Sequence, residues 1–169
     1  TDEDNNLYLT FPDTANSRTR FLKFTPGDYS IPAASTSTQA ASSAAKFTSC
    51  YDRSRGLIYH GTQWGHFLAF DKSGGLVKSR HVYTSGSSAG PSYPHIFVEP
   101  DGTIHYAMTT ADADMPYESI RYLKSTDGGE SWKRMDGASV SIPTTCDMNG
   151  SSTMINLPDE VHLNTWLSG

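Results

Sequence analysis

The stretch Ser125-Thr126-Asp127-Gly128-Gly129-Glu130-Ser131-Trp132 decides the fold, because each of its residue types has a place in a tight hairpin turn. Its aspartate can accept backbone N–H bonds inside the turn, and its two glycines can take positive φ. Its tryptophan can pack beneath the hairpin. Residues 121–124 and 132–134 are predicted as the two strands that this turn joins. An ordinary hairpin with a Gly-Gly turn is the alternative, and in either case the motif is structural rather than catalytic.

The composition favours short strands over helices. The chain has 169 residues, which is enough for one domain with its own core. Hydrophobic residues make up 36%, whereas there are nine Tyr, seven Phe and three Trp, with 14 Gly and nine Pro. Many aromatic residues and many turn formers are typical of strands joined by tight turns. The sequence therefore predicts an all-β fold.

Charge and hydropathy exclude several classes of partner. The formal net charge is −5 and no cluster of Lys and Arg is present, which argues against a nucleic-acid partner. No window of 18 apolar residues exists, so we predict no membrane span. A few cationic side chains in one cleft can still bind an acidic sugar. Abundant Ser, Thr, Asn and Asp with only two Cys are common in secreted enzymes, so we predict a secreted or periplasmic protein.

One pattern recurs along the chain, in which a strand enters a turn that contains glycine. Its three copies are residues 21–28, 67–75 and 122–129. The turn glycines Gly27, Gly74 and Gly128 are 47 and 54 residues apart. A period of roughly 40 to 50 residues with about four strands per unit is typical of β-propeller blades.

The repeat divides the chain into four predicted units of a partial β-propeller, each complete unit being a blade of four antiparallel strands. The units span about residues 1–46, 47–91, 92–143 and 144–169, and the last is truncated. Propellers usually close with four or more whole blades. We therefore expect the remainder of the ring to come from a longer chain or from a second one.

An Ala-, Ser- and Thr-rich stretch, residues 32–45, has no hydrophobic periodicity. We predict an exposed loop or a short disordered segment there. A lid over a substrate channel is the alternative interpretation.

Three segments together resemble a known family. They are residues 92–106, 122–132 and 135–143. The chain is similar to the BNR-repeat (Asp-box) β-propellers that include ulvan lyases and related secreted polysaccharide lyases, over about residues 47–169. The resemblance implies cleavage next to a uronic acid by β-elimination. It also implies His and Tyr as acid and base, with Arg or His neutralising the carboxylate of an acidic polysaccharide.

The chemistry of β-elimination explains these residue types. The proton at C5 can be removed only if the neighbouring carboxylate is neutralised, and a nearby Tyr or His can take the proton and protonate the leaving oxygen. Tyr93 matches the Tyr of the family's Tyr-Pro strand start and is the first candidate for acid or base. Related lyases often carry an Arg at the end of the following strand, whereas residues 106–110 here include Thr109 instead. That departure leaves Arg80, Arg121 or a histidine to neutralise the carboxylate.

Two histidine-containing strands align with each other across the repeat. Because side chains alternate along a strand, Tyr59 and His105 should share one face, and His60 and Tyr106 the other. The catalytic candidates are Tyr93, His60, His95, His105 and Arg121. The substrate-binding candidates are Arg80, Trp64 and Tyr83. For each histidine, a purely structural role is the alternative.

The two cysteines are not predicted to form a disulfide. Cys50 and Cys146 lie near the first strands of units that are two blades apart, where Cα atoms would seldom come within about 4.4 to 6.8 Å. No close ligand spacing such as Cys-x-x-Cys is present, so we predict no metal ligands and no cofactor. A structural metal ion held by Cys and His together stays open as an alternative.

Two other functions compete with a lyase. A sialidase-like glycoside hydrolase also carries Asp-boxes, and Asp52, Glu99 and Asp101 could supply its carboxylate, but no arginine triad can be assembled. A non-catalytic glycan-binding propeller would use aromatic residues such as Trp64 and Tyr83 to stack on sugar rings. Thr109, in place of the expected Arg, favours this third function.

Replacing Asp127 with Ala should destabilise the fold by about 1–3 kcal/mol, because the turn amides lose their acceptor. Chemical denaturation of the variant and the parent measures this difference. Any change in activity should follow stability, so activity lost at an unchanged melting temperature would contradict a structural role for the turn.

Overall fold

The described part of the chain is all-β, as the composition predicts. The computed structural model describes residues 1–13, 18–28, 30–31, 36–39, 46–86, 89–112, 119–146 and 153–155. No helix occurs in these ranges, so none is available there to cross a membrane. The strands are β1 (Leu7–Asp13), β2 (Arg18–Phe24), β3 (Thr36–Gln39), β4 (Phe47–Asp52), β5 (Leu57–Thr62), β6 (His66–Phe70), β7 (Leu76–His81), β8 (Tyr83–Thr84), β9 (Ala89–Val98), β10 (Ile104–Asp112), β11 (Ser119–Ser125), β12 (Trp132–Lys133), β13 (Ser139–Val140) and β14 (Thr144–Thr145).

Most strands belong to three antiparallel sheets that follow one another along the chain. The first sheet has the order β1-β2-β3 and the second the order β4-β5-β6-β7. The third sheet has five strands in the order β9-β10-β11-β12-β13. The short strands β8 and β14 form a separate parallel pair. Within each antiparallel sheet, neighbours in space are neighbours in sequence, which is the connectivity of a meander.

The second sheet lies between the other two, and its central strands β5 and β6 are buried on both faces. Alternate residues of β6 point to opposite faces, so Phe67 belongs to one core cluster and Phe70 to the other. The ring of Phe70 packs against Phe21 of the first sheet, with 5.7 Å between centroids. The ring of Phe67 meets Trp132 of the third sheet edge-on at 5.3 Å. Burial on both faces explains why β6 reads as a continuous apolar run rather than an alternating one.

The turn between β11 and β12 has the structure that its sequence predicts. The carboxylate of Asp127 accepts hydrogen bonds from the backbone N–H groups of Glu130 and Ser131, at 3.1 and 3.0 Å, and from the hydroxyl of Ser125 at 2.7 Å. Partial burial alone would raise the pKa of Asp127, but the Ser131 hydroxyl and these other donors lower it to about 2. The carboxylate is therefore a fixed acceptor in the turn, as the sequence predicts.

The same turn packs on the second sheet. Gly129 has φ +87°, and a Cβ atom there would lie 2.6 Å from the ring of Phe67, so no larger residue fits. Trp132 follows the turn with a side chain that is only 1% exposed, and its ring also packs on Tyr106 at 5.9 Å. The turn thus closes a hairpin and forms part of the contact between two sheets.

A buried carboxylate and an arginine join the first turn of the second sheet to two turns of the third. Asp52 is fully buried and accepts hydrogen bonds from Arg55 Nη1 at 2.9 Å and from the hydroxyl of Tyr59 at 2.8 Å. The Arg55 guanidinium also donates to the carbonyl oxygens of Gly102, at 2.6 Å, and Thr126, at 2.9 Å. A charge-assisted network with this many donors holds the two sheets in register at one end.

The prediction of an unstructured stretch at residues 32–45 is wrong for part of its length. Thr36–Gln39 form β3, which pairs antiparallel with β2 from Phe21↔Thr36 to Arg18↔Gln39. An edge strand needs only backbone hydrogen bonds to one neighbour, so it can form without an apolar periodicity. Residues 32–35 and 40–45, on which the lid interpretation also depends, lie outside the described residues.

Neither Cys50 nor Cys146 forms a disulfide, as the sequence predicts. Cys146 is fully buried in the cluster between the second and third sheets, and Cys50 packs against that cluster. Burial raises the pKa of the Cys50 thiol. The two thiols therefore act as small apolar side chains in the core.

Arg55→Met should destabilise the protein by about 2–4 kcal/mol, because it leaves the Asp52 carboxylate buried without its cation. Arg134→Met is the matched control: Arg134 pairs with Asp136 on the surface at 2.6 Å, and such exposed pairs contribute about 0–1 kcal/mol. Urea denaturation of both variants gives the comparison. Equal losses in the two variants would contradict the bridging role of Arg55.

Candidate functional site

A cavity of about 270 Å³ lies between the start of β4, in the second sheet, and the middle of β9, in the third. Its lining residues are Lys46, Phe47, Thr48, Tyr93, Pro94 and His95. It thus brings together two of the predicted catalytic residues, Tyr93 and His95. A larger cavity of about 460 Å³ lies on the first sheet, but it is lined by residues such as Leu7, Leu9 and Phe24 and by none of the predicted site residues. Because the smaller cavity contains predicted catalytic residues, we take it as the candidate site.

Tyr93 occupies a β-bulge. In the pairing of β9 with β10, Pro94 lies opposite Met108 and Ser92 opposite Thr109, so Tyr93 is the extra residue between them. Its φ is +39°, a value that a bulky residue rarely adopts. Bulges of this kind are frequent beside active sites, where they re-aim a side chain. Here the bulge places the tyrosine at the cavity rather than in the regular alternation of the strand.

Lys46 approaches Tyr93 from the neighbouring sheet. Its Nζ atom lies 3.8 Å from the centroid of the Tyr93 ring and donates a hydrogen bond to the Ser92 hydroxyl at 3.2 Å. A cation this close to an aromatic face is a cation–π contact. Lys46 comes directly before β4, whereas His95 lies two residues after Tyr93 on β9. Two sheets therefore contribute an ammonium, a phenol and an imidazole to one cavity.

Lys46 is the site residue that sequence reasoning missed. The resemblance to polysaccharide lyases directs attention to the strand that follows Tyr93, where Thr109 is fully buried and donates to the Ser92 carbonyl at 3.3 Å. The cation instead comes from the residue directly before β4 and reaches the cavity through the packing of β4 beside β9. The only sequence signal is a lysine directly before a predicted first strand.

His60 lies behind the wall of this cavity. It is fully buried, and its ring stacks on Phe47 with 5.4 Å between centroids. Nδ1 lies 2.8 Å from the Thr10 hydroxyl and 3.2 Å from the Ser49 hydroxyl, whereas Nε2 has no hydrogen-bond partner among the described residues. Burial lowers the pKa of His60 to about 4. The imidazole is therefore neutral near pH 7 and is separated from the cavity by the Phe47 ring.

His105 belongs to a different cluster on the outer face of the third sheet. Its Nε2 atom lies 2.9 Å from Glu99 Oε1, and its Nδ1 atom accepts from or donates to the Tyr122 hydroxyl at 2.7 Å. The exposed ring of Phe97 lies 6.0 Å from the imidazole. Partial burial, with a smaller contribution from Glu99, raises the pKa of Tyr122. These contacts hold His105 in place, and His105 is not among the residues that line the Tyr93 cavity.

The predicted alternation of faces is confirmed. His60 contacts Thr10 of the first sheet, whereas Tyr59 packs in the cluster between the second and third sheets. Tyr106 faces the second sheet and donates to the His66 carbonyl at 3.2 Å. His105 lies on the opposite face of the third sheet. Residues at equivalent positions of the second and third sheets therefore lie on equivalent faces: Tyr59 and His105 on one, and His60 and Tyr106 on the other.

The remaining candidates are not among the residues that line the cavity. Arg121 is fully buried, and Tyr83 is fully buried with its hydroxyl 3.4 Å from the Tyr106 carbonyl. Burial raises the pKa of Tyr83 well above its usual value. Arg80 is exposed and pairs with Glu130 at 2.8 Å. Trp64 is 45% exposed in the turn between β5 and β6, which makes it the aromatic candidate that a sugar could reach.

Neither a group of metal ligands nor a comparison with known proteins indicates what this cavity does. Across the described ranges, no group of three or more His, Cys, Asp or Glu side chains could hold a metal ion. The sequence matches no family model and no curated protein. The argument for function therefore depends on the geometry of the cavity itself.

The buried His60 should make stability depend on pH. Its pKa is about 4 in the folded protein and about 6.5 when unfolded, so the unfolded chain binds the extra proton between these values. Its contribution is fully present above pH 6.5 and is lost as the pH falls towards 4, by about 3 kcal/mol in total. Urea denaturation at several pH values should show a shallower slope for His60→Gln than for the parent.

Ser49→Ala is the control for this experiment, because it removes one neighbour of the imidazole but leaves His60 in place. This variant should keep the slope of the parent. Equal slopes in the parent and in His60→Gln would show that His60 is not held neutral in the folded state.

Proposed function

We propose that the chain is part of a secreted polysaccharide lyase that cleaves a uronate-containing glycan by β-elimination in the Tyr93 cavity. The observation that carries the proposal is the Lys46 ammonium 3.8 Å from the Tyr93 ring, with His95 in the same cavity wall. This reaction needs a cation to neutralise the carboxylate and a phenol or imidazole to transfer the proton.

Each group has a role in the reaction. Lys46 neutralises the uronate carboxylate, so that negative charge can develop at C5 as its proton leaves. Tyr93 or His95 takes that proton, and the electron pair of the C5–H bond forms the C4=C5 double bond. The C4–O bond breaks, and the departing oxygen receives a proton from the same pair of residues. The products are an unsaturated uronate and a new hydroxyl end, and no water is consumed.

An exposed aromatic residue near the cavity supports a glycan substrate. The Gln63 backbone N–H donates to the Lys46 carbonyl at 2.9 Å, and the Lys46 N–H donates to the Gln63 side chain at 3.2 Å. Trp64 directly follows Gln63, so its exposed ring lies at the same end of the second sheet as Lys46. Aromatic rings at such positions can pack on the apolar faces of sugars.

We also propose that the sheets are blades of a β-propeller. Three consecutive antiparallel meanders pack face to face, and equivalent residues of the second and third sheets face the same way. The two outer faces carry exposed apolar side chains, including Leu7 and Leu9 on the first sheet and Phe97 on the third. Further blades, from a longer chain or from a second one, would cover them.

A non-catalytic glycan-binding protein is the second candidate. It is favoured by the buried Thr109 in the strand where related lyases often carry an arginine. In that case Lys46 and Trp64 would hold an acidic glycan without cleaving it. A sialidase-like hydrolase has less support, because Arg80 pairs with Glu130 and Arg121 is buried, so neither joins a cluster at the cavity.

Tyr93→Phe should keep the fold and lower turnover on a uronate polymer by about 10²–10⁴-fold, as expected for a lost acid–base group. Release of unsaturated uronate, followed by its ultraviolet absorbance, is the assay. Tyr122→Phe is the matched control, because it removes a phenol hydroxyl from the outer face of the third sheet.

The assay separates the candidate functions. Turnover of Tyr93→Phe within a few fold of the parent would show that Tyr93 only packs, and would move the acid–base role to a histidine. Binding of the polymer without any unsaturated product would support a glycan-binding protein. Reducing ends without unsaturation would support a hydrolase.

A further inference from the structure

Two histidines form a pair at the edge of the second sheet, outside the Tyr93 cavity. His66 on β6 lies directly opposite His81 on the edge strand β7. Their rings stack with 4.3 Å between centroids and 13° between planes. Both side chains are half-buried, so each retains access to solvent. Opposed positions on neighbouring strands have Cβ atoms about 4.5–5.5 Å apart, which lets two side chains reach one ligand.

The hydrogen bonding of His81 determines which of its nitrogens is available. Nε2 lies 3.1 Å from the backbone carbonyl oxygen of Trp64. A carbonyl oxygen can only accept, so Nε2 carries the proton and a neutral imidazole has its lone pair on Nδ1. Histidine ligands of metal ions almost always donate their other ring N–H to a carbonyl, a carboxylate or water. His81 therefore already has the outer hydrogen bond of a metal ligand.

The ring of His66 lies beside that of His81, and its nitrogens are also available to a ligand. None of the hydrogen bonds of the described residues uses a ring nitrogen of His66. The pair therefore places two imidazoles side by side, with ring nitrogens that can coordinate one ligand.

We propose that His66 and His81 form a surface site for a divalent transition-metal ion, Cu²⁺ or Ni²⁺, with water completing the coordination. Two imidazoles bound at right angles to one ion, with metal–nitrogen bonds of about 2.0 Å, have ring centroids about 4.5 Å apart, and tetrahedral ligands about 5 Å. The observed centroids are 4.3 Å apart, so one ion can contact both rings once the His66 ring turns. Cu²⁺ and Ni²⁺ favour the right-angled, tetragonal arrangement, and Cu²⁺ binds most tightly to a given set of nitrogen ligands.

Binding requires a local rearrangement of the His66 ring. A metal ion lies in the plane of each imidazole that it binds, whereas the stacked planes are nearly parallel. Because the Trp64 carbonyl holds the His81 ring, the His66 ring must turn about its side-chain bonds until one of its nitrogens points at the ion on His81 Nδ1. The bound ion then links β6 to the edge strand β7 and fixes the turn that carries Trp64.

Trp64 provides a local reporter for the test, because its carbonyl is bonded to His81 and its side chain is exposed. Cu²⁺ titrated into the parent at pH 7 should quench tryptophan fluorescence with saturation at one ion per chain. His66→Asn and His81→Asn should each weaken this binding at least about 10-fold, because each removes one of two protein ligands. His105→Gln, which changes a histidine on the third sheet, should bind as the parent does.

Ni²⁺ in an NMR titration identifies the site independently of fluorescence. Paramagnetic broadening should begin at His66, His81 and the Trp64 amide. Circular dichroism shows whether each variant is folded. If one of the two variants does not fold, the other still tests the proposal. The proposal is overturned if both variants bind Cu²⁺ as tightly as the parent, or if broadening begins at other residues.

Discussion

The burial of β6 on both of its faces is the constraint on which the rest of the structure depends. Phe67 and Phe70 point to opposite faces, and each ring packs on an aromatic residue of a different sheet. Burying an aromatic ring contributes about 1.5–3 kcal/mol, so neither sheet can leave β6 without a substantial loss. The first and third sheets are thus held on either side of the second, and their outer faces are left exposed.

The candidate site depends on this packing because its residues come from two sheets. Lys46 precedes the second sheet and Tyr93 belongs to the third, so the 3.8 Å contact exists only while β4 lies beside β9. Arg55 fixes the same two sheets through the carbonyls of Gly102 and Thr126. Positioning by rigid sheets is what acid–base chemistry requires, since a displacement of about 1 Å can lower a rate about 100-fold.

The sequence allowed local features to be predicted but not contacts between sheets. The turn at Asp127 and the alternation of Tyr59 and His60 follow from residue types and strand periodicity, and both are confirmed. The role of Lys46 could not be found in this way, because its partner Tyr93 is 47 residues further along the chain. Burial of Tyr83 was missed for the same reason: its ring packs on Tyr106, another residue from a later strand.

The most direct test of the account is a crystal structure of Tyr93→Phe with a uronate-containing tetrasaccharide, since this variant should bind substrate without cleaving it. The account predicts that a uronate carboxylate lies within about 4 Å of Lys46 Nζ, the range of an ion pair. It also predicts that C5 of the same sugar faces the ring at position 93. A tetrasaccharide bound on the outer face of the third sheet, beside Phe97 and His105, would contradict the assignment of the site.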